Sequence, residues 1–230
     1  MKAGFRTILV LAGTLCGLTP LFGQDARAVA PDVFTVLLDN ERVRVLEQRL
    51  KKGQREPMHS HPAYLKYTLS SYKGTSSYLN GQTSTVRQIT KGQTMWFEAE
   101  THSQKNVGTT ETHAIFVELR GVPVVQRDAA ELANDPLTTD PRTHTRVLEN
   151  DRVRVIEFRI KPGEATAMHR HRDAVFYILK GGTIQETLSG NTSHDVKLND
   201  GEAKWMEAKS HKVKNTGTTE VRILIVELKG

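Results

Sequence analysis

His59-Ser60-His61 and His169-Arg170-His171 are the residues of this chain whose spacing best suits chemistry. Side chains alternate along a β-strand, so two histidines one residue apart point to the same face and can share a cation. A third histidine from a neighbouring strand would complete a facial triad. The opposite positions would stay open to water or substrate, as a catalytic metal requires. His102 and His211 stand at matching places downstream and are the candidate third ligands. A lone H-x-H is more often a surface pair, but two copies that each keep three histidines favour a metal site. Of the other histidines, His113 aligns with Arg222, His144 lies in the linker and His194 in a loop. All three read as ordinary surface residues.

The elements that must position these histidines occur twice. Asn40-Glu41-Arg42-Val43-Arg44-Val45-Leu46-Glu47 returns as Asn150-Asp151-Arg152-Val153-Arg154-Val155-Ile156-Glu157, and Met58-His59-x-His61 as Met168-His169-x-His171. After a one-residue deletion, Gly92-x-x-x-Trp96-x-Glu98-Ala99-x-x-His102 matches Gly201-x-x-x-Trp205-x-Glu207-Ala208-x-x-His211. Asn106-x-Gly108-Thr109-Thr110-Glu111 matches Asn215-x-Gly217-Thr218-Thr219-Glu220, and Val117-Glu118-Leu119 and Val226-Glu227-Leu228 close the copies. Two copies make a tandem pair rather than a solenoid. The pattern predicts domains at 34–121 and 144–230, joined by a linker at 122–143 with one helical stretch at 128–133. Runs such as Val175-Phe176-Tyr177-Ile178-Leu179 and Ile223-Leu224-Ile225-Val226, punctuated by Gly and Asn, predict short strands throughout. The fold class expected is all-β, of sandwich or jelly-roll type.

Gly53-x5-His59-x-His61 and Gly163-x5-His169-x-His171 resemble the first motif of the cupin superfamily. Gly92 followed by His102-x3-Asn106, and Gly201 followed by His211-x3-Asn215, resemble the second. The resemblance implies a bicupin, two tandem jelly-roll β-barrels, and covers nearly all of the chain outside the leader and linker. It is silent on activity, because the fold hosts oxygenases, isomerases, lyases, storage proteins and sugar-binding modules. Cupins usually place a glutamate ligand four or five residues after the second histidine. Here those positions hold Leu65 and Lys66, and Val175 and Phe176. Three neutral imidazoles leave a divalent ion its full charge, and Fe, Mn, Zn, Ni and Cu all accept such ligands.

Glu98 and Glu207 lead to the third histidines and are candidate proton carriers, alternative ligands or rim residues. Tyr67 and Tyr177 read first as core-packing residues; on an unbroken strand they share the parity of the histidine pair, which would instead aim their phenols into the barrel as candidate catalytic groups. Trp96 and Trp205 read as packing residues. The Arg-Val-Arg-Val strands read as half-exposed alternation.

Lys2 and Arg6 followed by an apolar run to Phe22 read as a secretory signal peptide, 1–28, with the cut after Ala28. Ala28-Val29-Ala30 and a cut after Gly23 are the alternatives. The apolar run is broken by Gly17 and Pro20 and is too short to span a membrane. The single cysteine, Cys16, lies in that leader, so neither a disulfide nor a cysteine zinc site is available to the rest of the chain. The net charge of +6 is spread along 230 residues with no Lys/Arg block, and the phosphate-loop, dinucleotide, serine-hydrolase and zincin motifs are absent. The expectation is a periplasmic or secreted bicupin that holds a divalent metal cation through its histidine triads and meets a small-molecule ligand or substrate. Oxygenase, isomerase or lyase chemistry is what the resemblance implies if it is an enzyme; a non-catalytic metal or small-ligand binder is the alternative. No nucleic acid and no stable membrane insertion are expected, and a homodimer remains open.

Overall fold

The computed structural model describes residues 24–121 and 134–229. The leader's residues 1–23 and the helical stretch predicted at 128–133 lie outside them. The first unit runs α1 (Ala26–Val29), β1 (Phe34–Asp39), β2 (Val43–Leu50), β3 (His59–His61), β4 (Tyr64–Thr68), β5 (Tyr72–Tyr78), β6 (Arg87–Ile89), β7 (Thr94–Phe97), β8 (Glu100–Asn106) and β9 (Thr112–Leu119). The second repeats it as α2 (Pro136–Thr139), β10 (His144–Glu149), β11 (Val153–Ile160), β12 (His169–His171), β13 (Ala174–Lys180), β14 (Gly182–Leu188), β15 (Ser193–Leu198), β16 (Ala203–Met206), β17 (Lys209–Asn215) and β18 (Val221–Leu228). Each unit is a pair of antiparallel sheets. One is five-stranded, ordered β1-β2-β9-β4-β7 or β10-β11-β18-β13-β16. The other is four-stranded, ordered β3-β8-β5-β6 or β12-β17-β14-β15. This is the all-β jelly-roll architecture expected.

The two five-stranded sheets are buried on both faces, which explains their unbroken apolar runs. On β9, Ala114 and Phe116 face into the first barrel, while Ile115 and Val117 face the second unit; β18 divides Ile223 and Ile225 from Leu224 and Val226 in the same way. The outward residues form one shared core between the barrels, built from Val43, Val45, Leu65, Ile115 and Val117 with Val153, Val155, Val175, Leu224 and Val226. Trp96 and Trp205 pack against it, as expected. Arg42 reaches across to Asp173 at 3.2 Å.

The structural repeat extends further back than the sequence pattern at 34 and 144. Ser60 N–H donates to the Gln24 carbonyl at 2.9 Å, and Arg170 N–H to Asn134 at 2.8 Å. Asp25 and Asp135 cap the short helices that follow. Part of the segment predicted as linker therefore belongs to the second barrel. The turns that set register are also duplicated. Gly92 and Gly201 have φ of +86° and +78°, a left-handed conformation that suits glycine. Asn106 Nδ2 donates to the carbonyls of Leu50 and Thr110, and Asn215 Nδ2 to those of Ile160 and Thr219, which accounts for the repeated Asn-x-Gly-Thr-Thr-Glu.

Leu65 is fully buried in the shared core. Leu65→Ala should lower stability by about 2–5 kcal/mol through lost burial and the cavity left behind, read as a fall in the urea unfolding midpoint. An unchanged midpoint would show that the barrels do not depend on this contact.

Candidate metal centre

The strand pairing brings each set of three histidines together. His59 lies directly across from His102, and His169 from His211. In barrel 1 the ring centroids are 4.7 Å (His59–His61), 4.9 Å (His59–His102) and 5.4 Å (His61–His102) apart. In barrel 2 the corresponding values are 4.9, 4.7 and 5.4 Å. All six rings are buried.

Each ring is held through Nδ1. His59 donates to the Pro57 carbonyl at 2.8 Å and His169 to the Ala167 carbonyl at 2.9 Å. His61 donates to Glu118 at 2.6 Å and His171 to Glu227 at 2.8 Å. His102 uses Glu100 at 3.0 Å, and His211 uses Glu186 on the neighbouring strand β14. A carbonyl or carboxylate can only accept, so each Nδ1 carries the proton and each Nε2 presents a lone pair. Outer partners of this kind fix the tautomer and orientation of metal-bound imidazoles.

The Nε2 atoms fit a cation. His59 Nε2 and His61 Nε2 stand 2.9 Å apart; with both Nδ1 atoms protonated, these are two facing lone pairs, which a positive ion between them would reconcile. Among the described residues, nothing hydrogen-bonds to the buried His211 Nε2. Metal–nitrogen bonds of about 2.0–2.1 Å put neighbouring ligand atoms roughly 3 Å apart. Ligand atoms within 4.8 Å of one another are presented by His59, His61 and His102 in barrel 1 and, in barrel 2, by His144, His169 and His171, with the His211 ring 4.7 Å from that of His169.

The carboxylates behind the histidines are themselves anchored. Arg44 contacts Glu118 at 2.5 Å and Asp25 at 2.5 Å, so the neutral His61 ring is hydrogen-bonded to a chain of charges, Glu118–Arg44–Asp25. Barrel 2 repeats it with His171 on Glu227–Arg154–Asp135. Arg44 and Arg154 are 8% and 6% exposed, not the half-exposed strand residues expected. Burial raises the Glu118 carboxyl, but hydrogen bonds from His61 and Arg44 outweigh it and hold it below its usual range. The sequence signal for these residues was their duplication: a Glu kept in both apolar closing strands, and an Arg kept in both partner strands.

Other expectations are corrected. His144 is not a surface residue. It is 2% exposed, its ring lies 4.7 Å from His169 and 5.6 Å from His171, and its Nε2 is also without a partner. Glu56 was not singled out, yet it is fully buried with Oε1 3.8 Å from Nε2 of both His59 and His102. Tyr67 and Tyr177 lie in the shared core between the barrels rather than facing the histidines. The segments Pro62-Ala63 and Arg172-Asp173 break the strand, so β3 and β4 sit in different sheets and parity does not carry across. Glu98 and Glu207 are exposed in the turns after β7 and β16, where Glu98 accepts from Trp96 Nε1 at 2.7 Å. His113 is half-buried and pairs with Glu47 at 2.7 Å; His194 is exposed, as expected, but lies on β15 rather than in a loop, 3.2 Å from Glu186.

The cavities differ although the histidines match. Barrel 2 holds a cavity of about 200 Å³ reaching His144, His169, His171 and His211. The barrel 1 counterpart is about 50 Å³. Strand register gives the cause: Tyr64, Tyr72 and Phe116 of barrel 1 correspond to Ala174, Gly182 and Ile225 in barrel 2. Lys66, where barrel 2 has Phe176, also lies inside barrel 1 and donates to Gln48 and Gln104.

Residues 156–227 match the family described as Cupin domain. No curated protein matches the chain in sequence. Among solved structures, Bacillus subtilis oxalate decarboxylase at pH 4.6 is 13% identical with a TM-score of 0.60, covering 82% of this chain and 68% of that one. A single-residue variant of that enzyme is 13% identical with a TM-score of 0.61, covering 83% and 70%. A further structure of it, concerned with its Mn(II) centres, is 12% identical with a TM-score of 0.60, covering 85% and 75%. The second barrel is a cupin domain, and the two barrels together have the bicupin fold.

Burial, reinforced by neighbouring imidazoles, lowers His59 and His169 to about 3 and His144 to about 2. In the unfolded chain they titrate near 6.5. Between those values the unfolded state binds more protons, so the metal-free protein loses stability as pH falls below about 6.5, down to about 3. Thermal unfolding of chelator-treated protein from pH 7.5 to 4 should show a steadily falling midpoint. A flat profile would mean the rings are not held neutral.

Proposed function

We propose that this is an exported metal-dependent cupin whose second barrel takes a small organic molecule with an apolar body. The observation that carries this reading is the cavity of about 200 Å³ that ends on the barrel 2 histidines. Its walls include Phe158, Phe176, Ile178, Ile184, Leu198 and Ile225. Oxalate, named in the structural neighbours, is a small dianion with no apolar body. These walls favour a different ligand; the lysines that also line the cavity, Lys204 and Lys209, are already paired with Glu202 and Glu186 at 3.2 and 2.7 Å.

His169, His171 and His211 would hold the ion, with Nδ1 fixed by Ala167, Glu227 and Glu186. A divalent ion supplies Lewis acidity toward a ligand oxygen, or electron transfer if it is redox-active. Burial raises the Glu186 carboxyl, but hydrogen bonds from His211 and Lys209 bring it down to about 2, so it stays an anion that steadies both. The apolar walls exclude water and orient the ligand's body. Oxygenase, isomerase or lyase chemistry is the class of reaction proposed. The second reading, a non-catalytic binder, is favoured by one observation: Glu98, Glu207, Tyr67 and Tyr177 all lie away from the histidines, and the duplicated carboxylates that do stand there, Glu118 and Glu227, are held by Arg44 and Arg154.

Ile225→Phe, which restores the bulk of Phe116, should weaken binding or kcat/KM by about tenfold or more, since hydrophobic pockets discriminate single groups at this level. Oxygen uptake and calorimetry against small diketones and phenols, with Phe116→Ile as the barrel 1 control, provide the readout. Loss in the control alone would move the site to barrel 1; binding without turnover would select the binder.

Export is proposed on the basic and apolar pattern of residues 2–22. Asp25 caps α1 through the N–H groups of Arg27 and Ala28, at 3.0 and 3.2 Å, and pairs with Arg44. A cut after Ala28 would delete this anchor, whereas a cut after Gly23 keeps it. N-terminal sequencing of protein from the periplasm or medium should therefore begin at Gln24; a start at Val29 would overturn the assignment.

A further inference from the structure

We propose that the two barrels complete their metal sites with different fourth donors, the Glu56 carboxylate in barrel 1 and the His144 imidazole in barrel 2. The inference rests on reading the histidine triads as metal sites and goes beyond it, because it makes the two sites chemically unlike. Neither residue lies where cupins usually carry the glutamate ligand, the position held here by Leu65 or Lys66 and by Val175 or Phe176.

The geometry points to an exchange between two fixed places. The first is the start of the strand that opens each barrel. His144 occupies it in barrel 2, with its ring 4.7 and 5.6 Å from those of His169 and His171. Phe34 occupies it in barrel 1, 5.2 and 5.8 Å from His59 and His61. The second place lies three residues before the histidine pair. Glu56 occupies it in barrel 1, where Oε1 accepts from Gln104 N–H at 3.1 Å. Thr166 occupies it in barrel 2, where Oγ1 accepts from the corresponding Val213 N–H at 2.9 Å. Each barrel thus offers one donor and one residue unable to act as a strong ligand, in opposite arrangements.

Both donors are prepared to face a cation. His144 Nδ1 lies 2.9 Å from Thr143 Oγ1, which donates its own proton to the Asp140 carbonyl at 3.2 Å, and 3.3 Å from that carbonyl, while among the described residues its buried Nε2 has no partner. Glu56 is fully buried beside two Nε2 lone pairs at 3.8 Å. A carboxylate facing two lone pairs without an ion would be repelled by both. Gln48 Nε2 donates to its other oxygen at 2.8 Å and fixes its orientation.

The consequence is a division of metal preference. Barrel 1 offers three nitrogens and an anionic oxygen, a set that suits harder ions such as Mn(II). Barrel 2 offers neutral nitrogens alone, from the close set His144, His169 and His171 with His211 beside them, and such a set suits Co(II), Ni(II), Cu(II) or Zn(II). The ratio of Mn(II) to Co(II) affinity is therefore higher in barrel 1.

The test uses the full chain with one triad disabled at a time. His169→Ala/His171→Ala isolates barrel 1, and His59→Ala/His61→Ala isolates barrel 2. Into each background go Glu56→Thr and His144→Phe, the residues the opposite barrel carries, with Glu56→Gln as a shape-preserving second variant. Mn(II) binding is read from the loss of its free-ion paramagnetic resonance signal, and Co(II) binding from its visible absorption. Glu56→Thr and Glu56→Gln should weaken Mn(II) in barrel 1 by about tenfold or more, and His144→Phe should do the same for Co(II) in barrel 2, each leaving the other barrel unchanged. Effects within about twofold in both barrels, with the parent chain still binding metal, would overturn the fourth-donor assignment alone. A parent chain that binds neither ion would overturn the metal reading as well.

Discussion

Everything in these barrels turns on keeping buried imidazoles neutral and aimed. An uncharged histidine can bind a cation only if its proton sits on the far nitrogen, and in a desolvated interior that proton must have an acceptor. The chain meets this need with a main-chain carbonyl for the first histidine of each barrel and carboxylates for the other two. Burying a carboxylate is itself unfavourable, so Arg44 and Arg154 are drawn inside to match Glu118 and Glu227, and Asp25 and Asp135 meet the arginines in turn. The segments before β1 and β10 are thereby tied to the histidines. The fold is closed by electrostatics at one end and by the shared apolar core along its flank.

Duplication preserves this framework and relaxes what surrounds it. Ring spacings agree within 0.2 Å between barrels, while the space beyond the rings does not agree at all. Tyr64, Tyr72 and Phe116 fill barrel 1 where Ala174, Gly182 and Ile225 open barrel 2. The two histidine clusters share a scaffold and differ in the space beside them.

The triads and the two-barrel plan were legible in the sequence because they depend on periodicity and repetition. H-x-H needs only the two-residue alternation of a strand, and the repeated Gly, Asn and His positions fix the units. Tyr67 and Tyr177 were misplaced because alternation holds only within an unbroken strand, and the chain changes sheet at Ala63 and Asp173. His144 and Glu56 were missed for the opposite reason: each stands against a residue of another type in the second copy, so comparison of the copies masks them. Glu118 and Glu227 were visible as duplicated residues, but their role needed the third dimension.

The shared core carries a consequence for the halves of the chain. Val43, Val45, Leu65, Ile115 and Val117 are solvent-free only because the other barrel covers them. A barrel produced alone would turn this apolar sheet face to water, and burial of that surface would drive it onto a second copy of itself. A half-length chain is thus a self-associating species by construction, and the covalent tandem is the form in which this sticky surface is permanently satisfied.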